Sequence, residues 1–238
     1  MLAADIDSDG IAILRLDNEQ RRNALSIAMR DAISDTLDEW AIDDRVRVVV
    51  LTGTGTTFCA GFDLKEFAKP DLASTIRDSS HRYHLAVWEF AKPMIAAVNG
   101  AAMGGGFDLA LLCDIRIATP DATFAHPEIK FGAPPLFTPL QWIVGAGIAR
   151  DLCLTGRRID AAEAHRLGLV NAIADADRLI DEAIATARVM AEAPQAALEA
   201  TKRYLTSSAG VTFREAFEVE HDRVFDEFLL GAFGRQAD

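Results

Sequence analysis

The stretch KPMIAAVNGAAMGGGFDLALLCDIRIATPDATFAHPE, from Lys92 to Glu128, decides the fold of this chain. Its first apolar run, Met94 to Val98, is bounded by a proline and by an Asn-Gly pair, a pattern that predicts a short buried strand. Three consecutive glycines follow at residues 104–106, and the apolar residues from Phe107 to Cys113 predict a buried helix. The stretch therefore predicts a strand, a glycine turn and the start of a helix.

This turn has the properties of an anion-binding site. Glycines let the backbone approach a ligand closely, and the first N–H groups of a helix have no partner within the helix. One acid, Asp108, lies on the first predicted helical turn, and Glu128 follows twenty positions later after a proline. The stretch alone leaves a second interpretation open, in which Asp108 complements the helix dipole and Glu128 is a surface carboxylate.

Composition limits the classes of partner. The chain has 238 residues, 50% of them hydrophobic and 25% charged, so we expect a folded globular protein rather than a disordered one. A formal net charge of −12 argues against nucleic acid as a partner, because binding the phosphate backbone requires a basic surface. Any phosphate-bearing substrate would have to be bound by local N–H groups and a few Lys or Arg residues.

The cysteines and the N-terminus indicate the compartment. Cys59, Cys113 and Cys153 are far apart and odd in number, which favours small core residues in a reducing environment over disulfides. The first ten residues lack the basic and apolar regions of a signal peptide, and no apolar run is long enough to span a bilayer. We expect a cytoplasmic protein with no membrane partner.

The rest of the chain alternates between strand and helix patterns. Residues 11–16 and 46–51 predict strands, and an apolar repeat at three and four residues predicts a helix from Ser26 to about Asp43. Residues 71–91 predict a second helix, and Asp160 and Glu163 have the spacing of a capping box that opens a helix ending at Gly168. The alternation predicts a layered α/β fold.

The predicted 71–91 helix carries two histidines that are candidate metal ligands. His81 and His84 are three residues apart, a spacing that could place both on one metal ion. No third ligand of matching type is nearby in the sequence, so we predict no metal site and interpret both as surface or pocket-wall residues.

Several motifs, in order along nearly the whole chain, resemble the crotonase (enoyl-CoA hydratase/isomerase) superfamily. They are Asn23-Ala24-Leu25, the segment from Phe58 to Glu66, KPMIAAVNGAAMGGGFDLALLCD, Pro127-Glu128-Ile129, and LTGRRIDAAEAHRLGLVN from Leu154. The resemblance implies the ClpP/crotonase fold, an α/β spiral of ββα repeats followed by C-terminal helices. It divides the chain into a core at residues 1–175 with an acyl-CoA site, and a helical region at 176–238 that contributes to a homotrimer or homohexamer.

The resemblance also assigns roles in the site. It implies that the N–H groups of Ala60 and Gly105 form an oxyanion hole for a thioester oxygen, and that Asp108 and Glu128 are the catalytic acid and base. By the same comparison the substrate contacts are Phe62, Asp63, Lys65, Gly104 and Leu136. No separate cofactor is implied, because coenzyme A is part of the substrate.

This sequence departs from the family pattern near both acids. Hydratases of the family have Glu where Asp108 stands, and an Asp is shorter by one methylene, roughly 1.5 Å of reach, which matters for catalytic positioning. His126 replaces a small amide side chain, and we interpret it as a histidine on the strand surface, the alternative being a titratable group beside Glu128. The run 132–139 is bulky and proline-rich, and the last residues lack the family's basic and aromatic CoA contacts.

These features predict an enoyl-CoA hydratase-like lyase that adds water across a 2,3-double bond. The alternatives are a double-bond isomerase using Glu128 or Asp108 alone, a thioester hydrolase, and a non-catalytic acyl-CoA binding subunit whose acids have diverged.

Overall fold

The computed structural model describes residues 1–207, 212–218 and 221, which form two β-sheets surrounded by helices. The described strands, in chain order, are β1 (Leu2–Ile6), β2 (Ile11–Leu16), β3 (Val48–Gly53), β4 (Thr57–Cys59), β5 (Met94–Val98), β6 (Ala101–Met103), β7 (Ile115–Ala118), β8 (Thr123–Ala125), β9 (Ile159–Asp160) and β10 (Ala172–Ile173). The described helices are α1 (Ile27–Ala41), α2 (Leu64–Phe67), α3 (Ala73–Glu89), α4 (Gly105–Leu112), α5 (Thr138–Thr155), α6 (Ala161–Arg166), α7 (Leu179–Ala191), α8 (Gln195–Ser207) and α9 (Phe213–Phe217).

The two sheets are built by a repeated path of the chain. The larger sheet has the order β1-β2-β3-β5-β7-β10, and the smaller one has the order β4-β6-β8-β9. Three times in succession, a strand of the larger sheet is followed by a strand of the smaller sheet and then by helix: β3 and β4, β5 and β6, β7 and β8. The pairings among these strands are parallel in both sheets. The predicted spiral of ββα repeats is therefore confirmed.

The larger sheet is covered on both faces, which explains its continuous apolar strands. Along β3, Val49 and Leu51 point into the main core, while Val48 and Val50 point to the opposite face. Helix α7 covers that opposite face with Leu179, Ala183 and Ala187, all buried. The first helix beyond residue 175 thus packs on the chain's own sheet, and a role for the C-terminal region in assembly stays a prediction.

Most predicted elements are confirmed within a few residues, with three differences. A short strand, β6, lies between β5 and the glycine turn, so the turn belongs to the second sheet rather than to the end of the first strand. Strand β1 was not predicted, and the apolar residues 169–173, whose pattern predicts a strand, form one only at Ala172–Ile173. The pattern from Asp177 to about Leu230 predicts helix broken at Pro194 and Gly210. Pro194 does separate α7 from α8, whereas Gly210 and the part towards residue 230 lie outside the described residues.

The cysteines are core residues, as predicted. Cys59, Cys113 and Cys153 are all buried. Burial raises the pKa of the Cys59 thiol and of the Cys113 thiol to about 12, so neither forms a thiolate readily. Within the described part of the chain, no helix is long and apolar enough to cross a membrane.

Helix α4 starts in close contact with β4. A side chain at Gly106 would collide with the backbone carbonyl oxygen of Cys59, so this position accepts only glycine unless one of the two segments moves. Gly147 on α5 is a contrasting case, because it is exposed and no atom lies within 4 Å of the position of an added Cβ.

We predict that Gly106→Ala lowers the free energy of unfolding by about 2 kcal/mol, because the collision involves rigid backbone. The matched control Gly147→Ala, in a helix with open space, should leave the stability unchanged or raise it by up to about 1 kcal/mol. Urea denaturation of both variants measures the difference. Equal stability of the two variants would contradict the close packing of α4 on β4.

Candidate active site

A pocket of about 180 Å³ lies at the N-terminus of α4. Its floor is formed by Gly104, Gly105 and Asp108, and one wall comes from the segment 60–64 after β4. The opposite wall comes from the 3₁₀ turn Pro127–Phe131 and from the proline-containing segment 133–136. The two stretches that sequence analysis singled out, around residues 60 and 105, therefore meet in one pocket.

The glycine turn brings Glu128 onto the backbone of α4. Gly104 has φ 53° and ψ −128°, a conformation that other residues rarely adopt. A Cβ at Gly104 would lie 2.7 Å from Oε1 of Glu128, so the absence of a side chain is what lets this carboxylate approach. The Gly104 amide donates to the carbonyl of Ala125 at 2.9 Å, which ties the turn to β8 just before Glu128.

The assignment of Ala60 as an oxyanion donor is wrong in this structure. The Ala60 amide donates to the carbonyl oxygen of Arg22 at 3.0 Å and is therefore used within the fold. Phe62, two residues after Ala60, forms an isolated parallel bridge with Leu25. The Leu25 amide donates to the Gly61 carbonyl at 2.8 Å, and the Asp63 amide donates to the Leu25 carbonyl at 3.4 Å. Because the groups of residues 61 and 63 face Leu25, the amide of Phe62 points to the opposite side, towards the start of α4.

The buried side chain of Arg30 supports the bridge between Leu25 and Phe62. Arg30 is fully buried, and its Nη1 donates to the Leu25 carbonyl at 2.7 Å while its Nε donates to Oγ of Ser79 at 3.2 Å. Its guanidinium lies 4.9 Å from the centre of the Phe62 ring, a cation–π distance. Burial lowers the pKa of Arg30 to about 10, so it remains charged at neutral pH. Sequence analysis missed Arg30, because a charged residue beside the apolar stripe of α1 is usually exposed.

The two predicted acids lie together, with a histidine beside both of them. Nε2 of His126 is 3.7 Å from Oδ1 of Asp108, and Nδ1 of His126 is 3.7 Å from Oε2 of Glu128. One ligand atom from each of the three residues lies within 4.8 Å of the other two, and no second cluster of this type occurs among the described residues. Both acids line the pocket.

His126 is buried, so its interpretation as a strand-surface residue is wrong and the alternative, a titratable group beside Glu128, is correct. It is 1% exposed, and its ring packs on Phe107 with ring centres 4.7 Å apart. Burial disfavours its charged form, but the charge of Asp108 and the proximity of Glu128 outweigh this cost and raise the pKa of His126 above 6.5.

The remaining predicted contacts divide into two groups. Phe62, Gly104 and Leu136 line the pocket. Asp63 instead caps α2 by accepting from the Lys65 amide at 3.1 Å, and it pairs with Arg21 at 3.3 Å. The Lys65 side chain is exposed, and neither Asp63 nor Lys65 lines the pocket.

His84 lies in the pocket wall, as one of the two alternatives for the histidine pair predicts. It is 2% exposed, and its Nδ1 is 2.7 Å from the carbonyl oxygen of Ser80. Burial lowers the pKa of His84 well below 6.5, so this side chain is uncharged at neutral pH. His221 also lines the pocket and was not singled out from sequence, because it lies far from the motifs along the chain.

The position of His126 leads to a prediction about stability. Folding raises the pKa of His126, so its protonated ring stabilises the fold through Asp108 and Glu128. This stabilisation is complete below the unfolded pKa of about 6.5 and is lost as the pH rises through the pKa of the folded protein. We expect the unfolding free energy of the wild type, minus that of His126→Gln, to decrease as the pH rises above about 6.5. Denaturant titrations at several pH values measure this difference, and a difference independent of pH would contradict the ion contacts of His126.

Comparison with known proteins identifies relatives of this chain. Residues 7–229 match the family model described as enoyl-CoA hydratase/isomerase. The chain is 36% identical over 213 residues to 2,3-dehydroadipyl-CoA hydratase of Escherichia coli K12, covering 88% of this chain and 84% of the relative. It is 38% identical over 212 residues to a probable enoyl-CoA hydratase of Mycobacterium leprae, covering 86% of this chain and 81% of that protein.

Solved structures give the same result. An enoyl-CoA hydratase/isomerase from Xanthobacter autotrophicus Py2 superposes with a TM-score of 0.86 at 32% identity, over 97% of this chain and 86% of that one. An enoyl-CoA hydratase from Bacillus anthracis gives a TM-score of 0.82 at 30% identity, over 99% and 96% of the two chains. By sequence and by structure, the chain belongs to the enoyl-CoA hydratase/isomerase family, the crotonase superfamily.

Proposed function

We propose that this protein is an enoyl-CoA hydratase that adds water to the 2,3-double bond of an enoyl-CoA thioester. The observation that supports it best is the pair of carboxylates, Asp108 and Glu128, on one side of a pocket at a helix N-terminus. A water that hydrogen-bonds to two oxygens at about 2.8 Å each holds them about 4.5 Å apart. The carboxylate oxygens, at most 4.8 Å from one another, fit such a water.

The thioester oxygen is proposed to bind between two backbone N–H groups. Gly105 is the first residue of α4, where the N–H has no partner within the helix. The second donor in this proposal is the amide of Phe62 rather than that of Ala60, because the bridge to Leu25 directs it towards α4. Negative charge develops on the thioester oxygen when hydroxide adds to C3, and one preorganised donor typically contributes about 3 kcal/mol to such a step.

The two acids supply and remove the protons. One carboxylate takes a proton from the bound water as its oxygen adds to C3, and the other, initially protonated, gives a proton to C2 of the enolate. The product is a 3-hydroxyacyl-CoA, and the acid and the base have exchanged protonation states. A coupled pair of carboxyl groups can share one proton in this way near neutral pH.

A double-bond isomerase is the second candidate, because the two acids differ in exposure. The Glu128 side chain is 25% exposed at the pocket, whereas that of Asp108 is 6% exposed and faces His126. An isomerase needs a single base to move one proton between C2 and C4, a role that Glu128 could fill alone. A thioester hydrolase or a non-catalytic acyl-CoA binding subunit has no comparable support from the geometry.

The pocket also limits the substrate. Phe62, Phe131 and Leu136 provide an apolar wall suited to an acyl chain, and no separate cofactor is required. The E. coli relative is named for a dicarboxylic enoyl-CoA, so that class belongs in the substrate panel. Assembly into a homotrimer or homohexamer, a contact of Lys65 with a CoA phosphate and a cytoplasmic location are parts of the same proposal.

We predict loss of the conjugated enoyl-thioester absorbance when the enzyme is mixed with an enoyl-CoA of suitable chain length. Glu128→Gln and Asp108→Asn should each lower kcat by about 10²-fold or more, with KM changed by less than about threefold, because an amide cannot act as a general acid or base near neutral pH. Absorbance that appears from a 3-enoyl-CoA would select the isomerase. Binding of acyl-CoA without any turnover would select the binding subunit.

The oxyanion donor at Gly105 can be tested by removing its hydrogen. Proline is tolerated at the first position of a helix, so Gly105→Pro should fold while lacking this N–H. Gly105→Ala is the matched control, because it introduces the same Cβ, about 3.2 Å from the Phe62 ring, and keeps the N–H. We expect kcat of the proline variant to be about 10²-fold below that of the alanine variant. Equal activity of the two variants would exclude Gly105 as a donor.

A further inference from the structure

A buried histidine in the pocket wall presents an unpartnered nitrogen to the pocket. His84 is 2% exposed, and its Nδ1 is 2.7 Å from the carbonyl oxygen of Ser80. A carbonyl oxygen can only accept, so Nδ1 carries the proton of the neutral ring and Nε2 is an acceptor. Nε2 has no hydrogen-bond partner among the described residues. It is not one of the fully enclosed polar atoms, so it opens onto the pocket that the ring lines.

The surroundings of His84 keep its ring uncharged. Burial is the main cause that lowers the pKa of His84 well below 6.5, and the neighbouring His221 and Arg30 lower this pKa further. The ring centre of His221 is 5.4 Å from that of His84. At neutral pH Nε2 therefore presents a lone pair, which accepts a hydrogen bond from a donor and repels an anion.

His84 is the polar side chain of the pocket that remains for binding a substrate group. Among the described residues, four polar or charged side chains line the pocket: His84, His221, Asp108 and Glu128. The two acids belong to the proposed hydration. Nε2 of His221 is already in contact with Oγ of Ser80. A polar group on a bound acyl chain would therefore meet Nε2 of His84.

His84 lies on the acyl side of the pocket. Its ring centre is 6.1 Å from that of Phe62, whose ring belongs to the apolar wall. Phe62 borders Gly105, whereas the Glu128 carboxylate borders Gly104. A group bound at Nε2 would thus belong to the acyl chain rather than to the water that the acids hold.

We propose that His84 recognises a hydroxyl group on the acyl chain, so that the preferred substrate is a hydroxylated enoyl-CoA. The inference rests on the proposed hydratase function and specifies its substrate class. An alkyl chain that covers Nε2 would exclude water and leave a buried acceptor without a partner, a cost that a hydroxyl donor avoids. Sites built around such a hydrogen bond discriminate strongly against analogues that lack the donor.

A chain that ends in a carboxylate fits this pocket less well. A carboxylate is an acceptor, like Nε2, so the two repel each other unless the ring takes up a proton. The low pKa of His84 opposes that protonation. The pocket also already contains the carboxyl groups of Asp108 and Glu128.

The test compares wild-type kcat/KM for 2-enoyl-CoA thioesters over a series of chain lengths. At each length the chain ends in a hydroxyl group, in a methyl group of nearly the same size, or in a carboxylate. At the length that reaches His84, we expect the hydroxyl group to be preferred over the methyl group by about tenfold or more. The carboxylate should be the poorest of the three.

The variant His84→Phe keeps a ring and removes Nε2. We expect its preference for the hydroxyl group to disappear, because kcat/KM falls for the hydroxylated substrate and stays equal or rises for the methyl-ended one. His84→Leu serves the same purpose if His84→Phe does not fold, as checked by thermal melting. The control His165→Gln alters a histidine outside the pocket, whose Nδ1 is 2.9 Å from the Val170 carbonyl, and should keep the wild-type preference.

Three results would overturn the proposal. Equal kcat/KM for hydroxyl-ended and methyl-ended chains at every length would mean that Nε2 binds no substrate group. A wild-type preference for the carboxylate that His84→Phe abolishes would assign the ring to dicarboxylic substrates. An equal loss of kcat on every substrate in folded His84→Phe would indicate a role in the reaction itself.

Equilibrium binding separates this proposal from the proposed function. Saturated acyl-CoA thioesters that end in a hydroxyl or a methyl group can be titrated into the protein without any turnover. A wild type that hydrates no enoyl-CoA would refute the hydratase. Binding that favours the hydroxylated ligand by about tenfold, and loses this preference in His84→Phe, would still support recognition by His84, whereas equal binding would refute it.

Discussion

The site depends on the close approach of three chain segments to the glycines at residues 104–106. Each glycine admits a different neighbour: the Glu128 carboxylate at Gly104, the Phe62 ring at Gly105 and the Cys59 backbone at Gly106. A Cβ at Gly104 would lie 2.7 Å from the Glu128 carboxylate, one at Gly106 would collide with the Cys59 backbone, and one at Gly105 would press on the Phe62 ring at 3.2 Å. The absence of side chains at these positions therefore decides how closely the surrounding groups meet in the pocket.

Local pattern was sufficient for most individual strands and helices but not for their topology or for the details of the site. The strands at residues 11–16 and 94–98, and the capped helix after Asp160, follow from apolar runs and from turn and cap residues, which act within a few positions. Strand β6 escaped prediction because Ala101–Met103 is too short and too weakly β-forming to stand out. The family resemblance located the pocket and both acids, and it supplied the spiral topology that periodicity alone could not.

The errors concern interactions between distant segments. The Ala60 amide is bonded to Arg22, whereas the bridge to Leu25 leaves the Phe62 amide on the opposite side, and both partners lie more than thirty positions earlier. His126 follows a short strand, and its burial results from packing on Phe107 and from the approach of Asp108. Neither contact can be recognised from neighbours in the sequence. In both cases tertiary contacts decided what an individual backbone or side-chain group can do.

The wall opposite the segment 60–64 has a consequence for which ligands the pocket can accept. Pro134 and Pro135 border the pocket in a stretch with no regular secondary structure, and each proline ring fixes its own φ. This stretch therefore has little freedom to adapt to ligands of different length. Discrimination would come from the volume of single side chains such as Leu136, so selectivity could diverge between relatives through point substitutions while the scaffold stays unchanged.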